Sequence, residues 1–130
     1  MTPEQYDVRA EPEVSDDLKE LEAIDPALVD RAIKLMGKLR TYPWVGDELR
    51  ERYNMRAIAD CRKIRFDLPD WTKKPRFRVV YRNDPSDGAV GRVRIWSVGP
   101  RERLIAYSRA NTRVLREQAQ KHRRRPASNQ

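Results

Sequence analysis

At 130 residues the chain suits one domain with a single modest core, because hydrophobic residues make up 38% and charged residues 37%. Its net charge of +8 points to a polyanionic partner: nucleic acid, an acidic protein or an anionic membrane face. No apolar run approaches the roughly 20 residues of a helical membrane span, and the lone cysteine, Cys61, excludes an internal disulfide framework.

The N-terminus, MTPEQYDVRAEPE, is acidic and lacks the apolar core of a signal peptide, so a cytoplasmic location is expected. QYDVRA at 5–10 gives a weak strand signal. A helix is predicted over 15–24, with Ser15 as N-cap, Asp16 and Asp17 in the first turn, and Val14, Leu18, Leu21 and Ile24 on one side. Asp25-Pro26 starts a second helix, over 26–41. Leu28, Ala32, Leu35 and Leu39 form its apolar stripe, widened by Val29, Ile33 and Met36. The tight connection makes the two helices an antiparallel hairpin. Residues 43–60 show no usable period, although Trp44, Val45 and Leu49 are candidates for packing.

Three alternating strands follow. In CRKIRFDL (61–68), Ile64, Phe66 and Leu68 oppose Lys63, Arg65 and Asp67. In RFRVVYR (76–82), Phe77, Val79 and Tyr81 oppose Arg76, Arg78 and Arg82. In RVRIWSV (92–98), Val93 and Ile95 oppose Arg92, Arg94 and Trp96, with Asp87-Gly88 marking the preceding turn. A last helix is predicted over 101–118, with Leu104, Tyr107, Asn111 and Val114 along one side. Residues 119–130, which contain the only histidine, His122, are predicted to be a disordered basic tail. The order β-α-α-β-β-β-α defines an α+β domain over residues 1–118. Its helical hairpin packs on one face of a small, antiparallel-rich four-stranded sheet, the face bearing Ile64, Phe66, Phe77, Val79 and Ile95. Cys61 is expected to be a small packing residue.

The opposite face gathers Lys63, Arg65, Arg76 and Arg78 on neighbouring strands. Like charges placed opposite one another destabilise a sheet, and such local conflicts are met at functional sites. Cations on an exposed sheet face also guard against aggregation, and the pattern alone favours neither reading. Guanidinium groups bind phosphate oxygens bidentately and stabilise charge that develops in phosphoryl chemistry. With one His, one Cys and no clustered carboxylates on this face, no metal and no cofactor are expected. A nuclease built this way would be metal-independent and would act on RNA, whose 2′-OH attacks the adjacent phosphate.

DCRKIRF at 60–66, PRFRVVYR at 75–82 and SVGPRERLIAY at 97–107 lie in the order and at the spacing found in RelE-type toxins. Over roughly residues 4 to 116 the chain resembles the RelE/ParE superfamily of bacterial toxins, in its RelE branch. The resemblance implies a ribosome-dependent endoribonuclease that cleaves mRNA in the ribosomal A site and is neutralised by a cognate antitoxin. Its partners would be mRNA, the ribosome and that antitoxin. By position it implies that Lys63, Arg65, Arg78, Arg101 and Tyr107 carry the reaction, with Arg101 on the scissile phosphate and Tyr107 on a base of the mRNA. If a general base is needed, the candidate is Lys63, its pKa lowered by neighbouring cations, or else Tyr107. Arg78 and Arg101 would then stabilise the transition state, and Arg65 would hold phosphate or protonate the leaving 5′-oxygen. Lys73, Lys74 and Arg76 are candidate RNA contacts. One position departs from the pattern: Arg65 stands where close RelE relatives have lysine, and arginine is a poor general base. Two other functions compete with this one, a ParE-like inhibitor of DNA gyrase and a non-catalytic basic module that binds RNA or ribosomes.

Overall fold

A computed structural model describes residues 5–124. Asp25 and Pro26 act as predicted: the Asp25 carboxylate accepts a hydrogen bond from Ala27 N at 2.9 Å, and Pro26 opens the second helix. That helix, α2 (Pro26–Lys38), follows α1 (Val14–Ile24), and a short strand, β1 (Asp7–Ala10), precedes both. Ser15 does not cap α1, which begins one residue earlier at the buried Val14. The strands β3 (Arg62–Phe66), β4 (Phe77–Asp84) and β5 (Arg92–Pro100) follow, and then α3 (Ile105–Arg124). The fold is α+β, as expected, but the sheet has five strands rather than four. The additional strand, β2 (Asp47–Glu48), pairs antiparallel with β3, and the order is β1-β5-β4-β3-β2 with β1 parallel to β5.

The helical hairpin covers the predicted sheet face. Leu21, Leu28, Ala32 and Leu39 pack there with Phe66, Phe77, Val79, Tyr81, Val93 and Ile95. Ile33 is a correction: it is 51% exposed, because the stripe that meets the sheet is narrower than the apolar band in the sequence. A register shift at Val80/Tyr81 leaves Trp96 unpaired in β5. The bulge lets Val93, Ile95 and Val98 all face the hairpin although their spacing is uneven.

The opposite face is not simply solvated. A second core covers half of it, where Val80, Trp96 and Cys61 meet Ala106, Tyr107, Ala110 and Val114 of α3. Cys61 is a packing residue, and burial pushes its thiol up to about 12. The helix joins the sheet through polar anchors as well. Arg113 holds the Asp17 carboxylate of α1 with donors at 2.7 and 2.9 Å, and the same carboxylate accepts from Val98 N at 3.0 Å. Asp17 is therefore a buried tie between layers rather than a helix-dipole residue. Helix α3 begins later than predicted, after a 3-10 turn at Glu102–Leu104, and continues to Arg124. Residues 119–124 are thus helical where a disordered tail was expected, and the rest of that stretch lies outside the described residues.

Residues 43–60 are ordered by single contacts rather than by a period. The Tyr81 hydroxyl donates to Pro43 O and accepts from Gly46 N, each at 2.8 Å, and Asn83 also donates to Pro43 O. Leu49 is buried as expected, whereas Trp44 and Val45 are exposed.

Leu28→Ala should lower stability by about 2–5 kcal/mol in denaturant unfolding, since Leu28 is 0% exposed within the core. Ile33→Ala should change it by less than about 0.5 kcal/mol. Equal losses at the two positions would contradict this burial pattern.

Candidate active site

The half of the sheet that α3 leaves open forms a cleft of about 820 Å³. Its floor follows from strand alternation. Lys63 and Arg65 of β3 and Arg78 of β4 point to the same side, and Arg65 lies directly opposite Arg78 in the ladder. Arg101 enters from the corner after β5, where its backbone N–H donates to Arg76 O at 2.8 Å. Tyr107, on the first turns of α3, closes one wall. The structure therefore brings Lys63, Arg65, Arg78, Arg101 and Tyr107 to one cleft, although they come from two strands, the corner after a third and a helix.

The cations differ in how they are held. Lys63 is 8% exposed, and no carboxylate holds its amine among the described residues. Burial, with the charges of Arg52, Arg65 and Arg78 added, holds its pKa below the ordinary 10.5, and Asp47 opposes this. Arg65 is exposed and pairs with Asp47 at 3.2 Å. Arg78 is 7% exposed and donates only to neutral oxygens: Pro75 O at 2.8 Å, Phe77 O at 2.9 Å and the Tyr107 hydroxyl at 3.2 Å. Arg101 is exposed, and its side chain has no hydrogen bond or ion pair among the described residues. Elsewhere Arg76, Arg82, Arg94, Arg109 and Arg113 each hold a carboxylate.

Tyr107 does not offer an open ring. It is 1% exposed and stacks on Tyr53, with centroids 5.3 Å apart and planes 18° from parallel. Burial raises its hydroxyl pKa, and the Arg78 hydrogen bond opposes this without cancelling it. The group thus keeps its proton and serves as an acceptor for Arg78, not as a base.

The proposed RNA contacts are distributed unevenly. Lys74 lines the cleft, whereas Lys73 is exposed and not part of its wall. Arg76 reaches the rim, but its guanidinium is bracketed by Asp67, with two donors at 2.9 Å, and by the Trp71 ring at 3.6 Å. Burial alone would raise the Asp67 pKa, but hydrogen bonds from Arg76 and Leu68 outweigh it and hold the carboxyl below its usual range. Arg76 therefore fixes the loop over 67–77 more than it presents donors to a ligand. Sequence reasoning missed Arg52 and Tyr53. Their signal was faint, an aromatic between arginine and asparagine in a stretch without period. No three His, Cys, Asp or Glu side chains stand close enough to hold a metal ion among the described residues.

No family model and no curated protein sequence matches the chain. The fold is nonetheless that of a RelE-type toxin. The structure is similar to an arginine-to-alanine double variant of the Escherichia coli toxin RelE in the free state, with a TM-score of 0.56 and 20% identity over 84% of this chain and 97% of that one. A second similar structure is the toxin–antitoxin complex RelBE2 of Mycobacterium tuberculosis, with a TM-score of 0.49 and 23% identity over 75% of this chain and 92% of that one.

Two measurements check this geometry. A site-specific NMR titration should place the Lys63 amine below 10.5, and Asp47→Ala should lower it further by removing the one opposing charge. Tyr107→Phe should leave the fold intact but cost about 1–3 kcal/mol, because Arg78 loses a buried acceptor.

Proposed function

We propose that the chain is the toxin of a toxin–antitoxin pair, a cytoplasmic, ribosome-dependent and metal-independent endoribonuclease that cuts mRNA in the ribosomal A site. The observation that carries this reading is the cleft that gathers Lys63, Arg78 and Arg101 without a carboxylate partner among the described residues, whereas the half-buried Arg82, Arg94 and Arg113 each hold one. Uncompensated, closely gathered cations suit a polyanion that gains charge as it reacts. The RelE-type fold and the three motifs supply the substrate class and the antitoxin partner.

In this scheme the neutral amine of Lys63 accepts the proton of the 2′-OH, and its depressed pKa makes that form accessible. The 2′-oxygen attacks the adjacent phosphorus as the bond to the 5′-oxygen breaks. A 2′,3′-cyclic phosphate and a 5′-OH result, the latter taking its proton from solvent or from Arg65. Arg78 and Arg101 hold the phosphate oxygens while charge accumulates, and Arg65 holds a neighbouring phosphate. Tyr107 acts through Arg78 by fixing the direction of its guanidinium, and Lys74 extends the positive rim. Glu102 is the only carboxylate among the described residues that line the cleft, which supports a reaction carried by the cations.

On ribosomes programmed with a defined mRNA, wild-type protein should cut within the A-site codon and leave a 2′,3′-cyclic phosphate and a 5′-OH. The single-turnover rate should rise with pH until Lys63 is neutral, levelling off below 10.5. Arg101→Ala should lower the rate on the order of 10²–10³-fold, as loss of one charge-stabilising donor does, and it should scarcely change stability, because Arg101 is exposed. Gyrase-linked DNA breaks with intact mRNA would instead make the chain a gyrase inhibitor. Cutting at full rate by Arg101→Ala and Arg78→Ala would overturn the assigned site.

A further inference from the structure

We infer that Tyr53, not Tyr107, is the aromatic platform on which a nucleobase of the bound RNA stacks. This rests on the RNase reading above and assigns it a recognition residue on a segment outside the three motifs. One face of the Tyr53 ring lies on Tyr107, which is thereby closed to ligand. Tyr53 is still 38% exposed and lines the same cleft as Lys63, Arg78 and Arg101. The part of Tyr53 that Tyr107 does not cover is open to the cleft.

The backbone points the same way. Tyr53 has φ of 60°, and Arg50 and Asn54 lie at 57°, all in the left-handed region that bulky side chains avoid. Such conformations persist where the surroundings enforce them, and they cluster at ligand clamps. At the corner that presents Arg101, Arg103 and Leu104 also lie at positive φ, 52° and 58°. Two strained junctions thus flank the cleft, one presenting an aromatic face and the other a guanidinium. A nucleotide fits this pair, with its phosphate on the cations and its base laid on Tyr53 as the third ring of a stack begun by Tyr107. Stacking of this kind demands a base without selecting which one, since every base has a π-face.

The test uses the full chain on ribosomes whose mRNA carries a 2′-O-methyl group at the cleavage position, so that binding is read without cutting. Each A-site nucleotide is replaced in turn by an abasic residue. At one position the abasic substitution should weaken wild-type binding on the order of 10-fold, within the range for one base on an aromatic ring. Tyr53→Asn, whose new residue tolerates positive φ, should bind intact and abasic mRNA equally, and Tyr53→Trp should restore the difference. Tyr53→Leu should behave as Tyr53→Asn does, covering Tyr107 without an aromatic face, and serves if the asparagine variant fails to fold. An undiminished abasic penalty in Tyr53→Asn or Tyr53→Leu, with Arg101→Ala still binding weakly, would overturn the platform and leave the RNase reading standing. Insensitivity of wild type to every abasic position, with Arg101→Ala binding as well as wild type, would overturn both.

Discussion

The hydrogen bond from Arg78 Nε to the Tyr107 hydroxyl joins the central strand to the last helix, and the geometry of the cleft depends on it. Arg78 is nearly buried and lies opposite Arg65, so the ladder brings two guanidinium groups together without a carboxylate between them. The Tyr107 oxygen and the carbonyls of Pro75 and Phe77 take its Nε and Nη1 donors, leaving Nη2 free among the described residues and the charge uncompensated. A guanidinium aimed by neutral acceptors, with donors and charge left over, suits an anion. A carboxylate in Tyr107's place would stabilise Arg78 more and would compete with phosphate for it.

Around this contact the protein divides its arginines between two uses. Arg94 bridges Glu11 and Glu117, and Arg113 bridges Asp17 and the Trp96 carbonyl, so these hold α1, β5 and α3 together. The partial burial of those pairs makes each partner hard to remove singly, since the other would be left as an unpaired buried charge. Lys63, Arg78 and Arg101 are excluded from that network. Their charge is left uncompensated where the sheet is open.

Much of the fold was legible because it rests on period. The alternation in RKIRF and FRVVYR places Lys63, Arg65 and Arg78 on one face, and the structure keeps that face. Asp25-Pro26 marked a helix start that the cap hydrogen bond realises. What escaped rests on single tertiary contacts. The second core rests in part on Ala106 and Ala110, which share the helical spacing of Val114 but are too small to mark a face in the sequence. The stretch around Tyr53 depends on positive φ values and on the hydroxyl of Tyr81, and neither leaves a pattern in nearby residues. The gathering of the cations on one face could thus be read from the sequence, while the stack of Tyr53 on Tyr107 could not, because Tyr53 lies in the segment without a period.

The parallel pairing of β1 with β5 bears on how the chain is made. Asp7 and Arg92 meet across a sequence separation of 85 residues, so the sheet cannot close until most of the polypeptide has emerged. The wall of the cleft comes later still, because Tyr107 follows every strand. During synthesis the guanidinium of Arg78 therefore exists before its hydroxyl partner does, and the cleft takes shape only as the final helix docks. Contacts this distant in sequence close slowly compared with the β3–β4 hairpin. The order of synthesis alone thus separates making the cations from enclosing them in a cleft.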